Sequence, residues 1–151
     1  MAHSAGARLV VNPAPARLDY ADLLVGAIVT PNAAELAALQ RAQSGQREAA
    51  LALSARIAAP VVVTLGADGA LLAESGEVTR FPAHVIEARD TTGAGDTVTG
   101  VLAASLAQGH EALAAVRRAV AAAALAVTQE GARTGMPTAH EIDRLLEPGT
   151  E

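Results

Sequence analysis

The run Arg89-Asp90-Thr91-Thr92-Gly93-Ala94-Gly95-Asp96-Thr97 packs two acids, three hydroxyl side chains and two glycines into one short segment. An apolar, helix-forming stretch follows at once, from Val98 through Leu106. A glycine turn that opens a helix gathers N–H groups lacking intrahelical acceptors at the positive end of the helix dipole. Such a place is suited to phosphate or another anion. Asp96 stands where a carboxylate could take the proton of a hydroxyl attacking that phosphate. A plainer account of Gly93–Asp96 taken alone stays open: a tight turn, with Asp96 capping the next helix.

The commoner phosphate loops do not fit. A P-loop needs GxxxxGK[ST]. Gly95 and Gly100 have that spacing, but Val101 and Leu102 follow, and the chain contains no Lys. A dinucleotide fingerprint needs GxGxxG; after Gly93 and Gly95 the third position holds Val98.

Outward from this run, short β-type stretches are expected at Arg8–Asn12, Ala27–Thr30, Val61–Leu65 and Val78–Phe81. The run Val61-Val62-Val63 reads as a strand buried on both faces. Gly69–Ala73 is expected to pair with Val78–Phe81 through a turn at Ser75-Gly76. Val85–Ala88 reads as a further strand leading into the glycine turn. Helical spacing marks Ala33–Gln40, Arg47–Ala58, Thr97–Gln108, Glu111–Val127 and Ala139–Leu146. Gly109 ends one of these, and Pro148-Gly149 the last. Thr138 through Glu141 reads as a capping box. Alternating strands and helices argue for an α/β layer fold with a mostly parallel sheet. Met1–Gly6 reads as the tail of a helix running straight into the first strand, as if the chain were the later part of something longer.

The chain has 151 residues, 51% of them hydrophobic and 18% charged, enough for one compact domain with an aliphatic core. Cysteine is absent, which excludes disulfides and thiolate chemistry. All 11 basic residues are Arg, which excludes a Lys nucleophile or a phosphate-binding Lys from this chain. A net charge of -5 with 1% aromatics argues against nucleic acid, because both the basic footprint and the stacking platforms are missing. Arg117 and Arg118 break the longest helical stretch, so no run reaches membrane-spanning length. With no signal-peptide pattern, a cytoplasmic protein is the expectation.

Two more segments carry candidate chemistry. Asn32-Ala33-Ala34-Glu35 follows a strand and Pro31. It reads first as an N-cap with its reciprocal Glu, and alternatively as a ligand edge where Glu35 holds waters around Mg²⁺. Thr64-Leu65-Gly66-Ala67-Asp68-Gly69 reads as a strand–turn–strand corner, or as a nucleotide-binding edge with Thr64 as donor and two glycines allowing close approach. His3, His84, His110 and His140 have no metal-ligand spacing and read as incidental.

In their order along the chain these motifs resemble one family. Val11-Asn12-Pro13-Ala14-Pro15-Ala16, Thr30-Pro31-Asn32 with Glu35, Val63-Thr64-Leu65-Gly66 with Gly69, Asp90 through Thr97, and Ala126-Val127-Thr128-Gln129-Glu130-Gly131-Ala132 follow the pattern of the ribokinase-like carbohydrate kinases of the PfkB family. The NPAPA run points to the ribokinase branch. The resemblance covers essentially the whole chain, read as one partial domain over 1–151. It implies a three-layer α/β/α fold of which this chain is the C-terminal, nucleotide-binding and catalytic portion, without the lid and the N-terminal half.

The resemblance also implies roles. Asp96 would be the base that meets the sugar's primary hydroxyl, and Gly93, Ala94, Gly95 and Asp96 would supply the anion hole. Asn32 and Glu35 would organise ATP phosphates and Mg²⁺, the latter through water. Thr64, Leu65, Gly66, Ala67, Asp68 and Gly69 would line the ATP site, and Val120 stands where a polar residue often faces the nucleotide. Asp90, Thr92, Ala126, Gln129, Gly131 and Gly135 match a monovalent-cation site for K⁺, with Gly135 where a Ser is common. Arg89 replaces a usually apolar residue. The implied reaction is phosphorylation of a ribose-like sugar. The alternatives are a nucleotide-binding remnant or one half of a split kinase. A homodimer would require the missing half.

Overall fold

The computed structural model describes residues 6–40 and 45–147. It divides into two units, one ending at Pro82 and the other starting at Ala83. Met1–Ala5, and with them most of the expected helix tail, lie outside the described residues, as does the expected stop at Pro148-Gly149.

The first unit is built on a five-stranded sheet in the order β1-β2-β3-β4-β5. The strands are β1 (Val10–Val11), β2 (Ile28–Val29), β3 (Val61–Thr64), β4 (Ala70–Glu74) and β5 (Glu77–Phe81). The first three run parallel, with Val10 opposite Ile28 and Val29 opposite Val61. The hairpin of β4 and β5 then continues the sheet antiparallel, with Val62 opposite Leu72 and Leu72 opposite Thr79. Ser75 and Gly76 both have positive φ, 53° and 81°. That is the two-residue turn whose twist matches a hairpin, as their sequence suggests.

Helices α1 (Ala33–Gln40) and α2 (Gln46–Ile57) pack with the sheet residues. Leu36, Leu39, Leu53 and Ile57 join Val29, Val61 and Val63 in one fully buried aliphatic core. Val62 is buried as well, so β3 is covered on both faces. Each such side chain contributes about 1.5–3 kcal/mol of burial. This is how a chain almost without aromatics holds a sheet. Residues Leu18–Leu24 form a 3₁₀ helix that the sequence pattern did not announce.

Among its described residues the second unit holds three helices, α3 (Ala94–Ala107), α4 (Ala112–Ala126) and α5 (Ala139–Leu146). α3 packs on α4 and α4 on α5. Buried Ala115, Ala119, Ala121 and Ala122 give α4 a slim profile that lets its neighbours approach closely. The capping box on α5 forms as read: Thr138 accepts from the Glu141 N–H, and the Glu141 carboxylate accepts from the Thr138 N–H at 2.7 Å.

Two expectations need correction. Val85–Ala88 is not a strand: no strand among the described residues pairs with it, and Val85 is fully exposed. Its backbone runs instead into a loop anchored where the Arg89 and Asp90 N–H groups both donate to the Val127 carbonyl, at 2.7 and 3.2 Å. And α3 begins at Ala94, three residues before the expected start, so Gly95 and Asp96 lie inside its first turn. Among the described residues, no helix is long and apolar enough to cross a membrane.

Candidate active site

In the first unit the two strand-end motifs meet. Asn32 forms a parallel bridge with Thr64, and the Thr64 N–H donates to the Pro31 carbonyl at 3.0 Å. Both segments therefore sit at the C-terminal ends of neighbouring parallel strands, the end at which open α/β sheets take ligands. The cap reading of Asn32 and Glu35 is realised. The Glu35 N–H donates to Asn32 Oδ1 at 2.9 Å, and the Asn32 N–H donates to Glu35 Oε2 at 2.8 Å. This box fixes both side chains and leaves Glu35 a second carboxylate oxygen for a water.

The loop after β3 is a tight corner. Leu65 N–H donates to the Gly69 carbonyl at 2.8 Å and Gly69 N–H to the Gly66 carbonyl at 3.1 Å, with Gly66 and Gly69 at φ 59° and 90°. Gly66, Ala67 and Asp68 are exposed. Arg80 on β5, which sequence reasoning passed over, reaches the corner through the Asp68 carboxylate at 3.7 Å. Only the pairing of β4 with β5 brings Arg80 there, so no local signal marks it.

In the second unit, Gly93 caps α3 in the left-handed conformation, φ 79° and ψ 2°, with no side chain capping the helix. The Ala94 N–H turns back to the Thr91 carbonyl at 3.2 Å, and the first helical bond runs from the Thr97 N–H to the Gly93 carbonyl at 2.9 Å. Gly95 and Asp96 occupy the turn between, and both are exposed. Their N–H groups lie at the positive end of the helix, where negative charge is stabilised. Thr97 is 3% exposed, and its hydroxyl has no partner among the described residues, whereas the Thr99 hydroxyl bonds back to the Gly95 carbonyl at 3.0 Å.

The residues assigned to a monovalent cation come together in this unit. Asp90 Oδ1 accepts from the Thr92 N–H and Oδ2 from the Gly131 N–H, each at 2.9 Å. Gly135 N–H donates to the Gly131 carbonyl at 3.1 Å and Gln129 N–H to the Ala126 carbonyl at 3.4 Å. The cluster is rich in backbone oxygens with one carboxylate, a donor set that fits a hard cation. Gly135 has a steric reason: a Cβ there would stand 2.5 Å from the Ala126 carbonyl oxygen. A serine here would force the backbone to shift, and Gly135 itself offers only its main chain. Ala132, which closes the Ala126–Ala132 signature with no role assigned to it, packs beside the glycine turn: a Cβ on Gly93 would lie 2.7 Å from the Ala132 Cβ. Val120, by contrast, is 7% exposed within α4, where it has only an apolar surface to offer.

The Asp90 carboxyl is held down to about 2, first by the Thr92 hydroxyl, then by the N–H groups of Gly131 and Thr92. The folded value lies below the ordinary 3.8, so the stabilisation is present above pH 4 and is lost as pH falls toward 2. The Asp90→Asn variant is expected to melt lower than the parent at neutral pH and to show a shallower loss between pH 4 and pH 2. Circular-dichroism melts across that range check this; parallel curves for the two proteins would refute it.

Among the described residues, no group of three or more His, Asp or Glu is placed to hold a metal ion.

The family described as pfkB family carbohydrate kinase matches residues 1–139. Ribokinase of Bacillus subtilis is 35% identical over 150 residues, covering 95% of this chain and 48% of that protein. The bifunctional protein HldE of Nitrobacter hamburgensis is 38% identical over 155 residues, covering 97% of this chain and 30% of that protein. Arabidopsis thaliana ribokinase, solved with ribose and ATP, superposes with a TM-score of 0.79 at 28% identity, over 97% of this chain and 49% of the other. The matched portion of the ribokinase-like proteins is their C-terminal half.

Proposed function

We infer the activity from membership: the chain belongs to the pfkB family of carbohydrate kinases, and it carries the phosphate-handling end of an ATP-dependent sugar kinase. The observation that supports this most is the left-handed Gly93 opening α3, with exposed Asp96 in the first turn. The reaction is transfer of the ATP γ-phosphoryl group to a primary sugar hydroxyl, ribose-type giving ribose 5-phosphate. Ribokinase and HldE match the chain about equally well, so support for ribose rests on the NPAPA run and not on the matches.

The chemistry follows from the site. The sugar hydroxyl oxygen attacks the γ-phosphorus while its proton passes to an Asp96 carboxylate oxygen. The bond from phosphorus to the β–γ bridging oxygen breaks, and ADP leaves with that electron pair. The first-turn N–H groups of α3 meet the charge that develops on the transferring phosphoryl oxygens. Asn32, Glu35 and Thr64 form the edge where nucleotide phosphates and their waters would be held, and the exposed Gly66–Asp68 corner lies beside them. Mg²⁺, when bound, neutralises phosphate charge. K⁺, at the Asp90–Gly135 cluster, would shape the anion hole through the loop oxygens it holds.

The chain spans about half the length of the ribokinases it matches. That observation also favours a second reading, a nucleotide-binding protein without sugar turnover. The two readings separate by experiment. The purified 151-residue chain is expected to show little or no ADP release from ATP and ribose. A chimera with this chain in place of the matching half of Bacillus subtilis ribokinase is expected to turn over. Robust turnover by the chain alone would overturn the first expectation. Titration with Mg-ATP that binds while the chimera stays inactive would favour the nucleotide-binding reading.

A further inference from the structure

α3 carries two threonines near its start, and their hydroxyls differ. The Thr99 hydroxyl donates to the Gly95 carbonyl four residues back, at 3.0 Å. The Gly93 carbonyl stands in the same relation to Thr97. It takes the Thr97 N–H at 2.9 Å and keeps a second lone pair. The Thr97 hydroxyl does not use it. That residue is 3% exposed, and its oxygen has no hydrogen-bond partner among the described residues. A buried hydroxyl without a partner destabilises the form that contains it. Its place next to exposed Asp96, inside the turn that gathers N–H groups, calls for a cause.

The donors of this turn are not all open. The Ala94 N–H, one of those assigned to the anion hole, is turned back to the Thr91 carbonyl at 3.2 Å. That is the long end of the range for such a bond. To meet a phosphate oxygen, the N–H must leave Thr91. The Ala94 N–H and the Gly93 carbonyl belong to one planar peptide group and point in opposite directions. A tilt that carries the N–H away from Thr91 therefore moves the Gly93 carbonyl as well. The tilt runs through ψ of Gly93, now 2°, and φ of Ala94. The left-handed φ of Gly93 and its seat against Ala132 stay as they are.

We propose that Thr97 is a positioning residue for the anion hole. Tilting the Gly93–Ala94 peptide frees the Ala94 N–H for phosphate and brings the Gly93 carbonyl onto the Thr97 hydroxyl. The phosphate-bearing form then satisfies a donor that the present form leaves unpaired, which offsets the lost bond to Thr91. A ligand shifts an equilibrium between two forms only by the difference in its interaction with them. The hydroxyl supplies part of that difference without touching the ligand. Thr97 has this role only if the first turn of α3 is a phosphate site, as proposed above, and the experiment keeps the two apart.

The full 151-residue chain is titrated with Mg-ATP by calorimetry and through its Ala94 amide resonance, beside Thr97→Val and Thr97→Ser. Without nucleotide, Thr97→Val keeps the shape and removes the unpaired hydroxyl. Its urea midpoint is expected to match the parent's or to rise. It is expected to bind Mg-ATP about threefold to tenfold more weakly, the worth of one net hydrogen bond. Thr97→Ser keeps the hydroxyl and should keep the parent's affinity, whatever stability the lost methyl costs. The Ala94 amide should shift on binding in the parent and in Thr97→Ser, and less in Thr97→Val. A lower midpoint for Thr97→Val without nucleotide would show the hydroxyl already paired and overturn the proposal. So would equal affinity of all three proteins, or an Ala94 amide that stays in place while Mg-ATP binds the parent. Each of these leaves the role of Asp96 standing. Failure of Mg-ATP to bind the parent at millimolar concentration overturns the phosphate site itself, and the role of Thr97 with it. The amide measurement on the parent needs no variant, so it decides even if Thr97→Val misfolds.

Discussion

Asp96→Asn, placed in the chimera that carries this chain, is expected to lower sugar-kinase turnover by about 10²–10⁴-fold with ATP binding largely kept. Asparagine keeps the shape of the side chain and the N–H of residue 96, so the first turn of α3 still presents its donors. What it loses is a group that can take a proton. The loss falls on a step made only in the transition state, so kcat and kcat/KM for the sugar should drop together. Removing a negative charge from the phosphate site should not weaken the nucleotide, and calorimetry with Mg-ATP checks that half of the expectation. Loss of a carboxylate near a helix N-terminus costs about 0.3–1 kcal/mol, too little to unfold the chain. Near-normal turnover with normal binding would remove Asp96 from the proton-accepting role. The anion hole and substrate positioning would then carry the rate alone.

How much of this was legible beforehand depended on how local the determinant was. Val61-Val62-Val63 announced a doubly buried strand because three valines in a row suit nothing else so well. Ala33–Gln40 and Ala139–Leu146 were placed to the residue because each opens on a reciprocal cap that is written in sequence: Asn32 with Glu35, Thr138 with Glu141. The start of α3 was not legible. Gly-Ala-Gly-Asp has poor helix propensity, and only the left-handed Gly93 lets the chain turn into a helix at Ala94. Val85–Ala88 carries an apolar, β-branched pair, but a strand needs a neighbour, and propensity cannot say whether one is present.

The site divides the same way. Asp90, Thr92 and Gly131 were named from motif order, and the structure joins them through hydrogen bonds on both carboxylate oxygens. Neither Arg80 beside Asp68 nor the contact of Ala132 with Gly93 is legible in sequence, because each meets its partner through tertiary packing. Gly135 read as a departure from a pattern; at this backbone it is a steric requirement set by the Ala126 carbonyl. The residue that departs from the family pattern is the one that lets this loop keep its form.

Gly93→Ala is expected to destabilise the second unit strongly. Two independent terms act on it. The residue sits at φ 79°, which a residue with a Cβ adopts at a cost of about 1–3 kcal/mol. The new Cβ would also stand 2.7 Å from the Ala132 Cβ and 3.1 Å from its Cα, and the backbone behind them cannot swing aside as a flexible side chain could. Overpacking of that kind adds roughly 1–3 kcal/mol. Together the loss is roughly 2–6 kcal/mol, a large share of what a small domain has. Gly100→Ala on the same helix is the matching control. A Cβ there meets nothing within 4 Å, so the variant should gain about 0.5–1 kcal/mol. Adding Ala132→Gly to Gly93→Ala removes the clash but not the backbone term, so it should recover part of the loss. Chemical-denaturation midpoints of the four proteins check the set. If Gly93→Ala matches the parent, Gly93 is not held left-handed against Ala132. The first turn of α3 would then lack the rigid start that fixes its N–H groups and Asp96 in place. On the reading proposed above, Gly93→Ala should also lower turnover of the chimera, because a shift of the N-cap by one residue rotates Asp96 by about 100° around the helix.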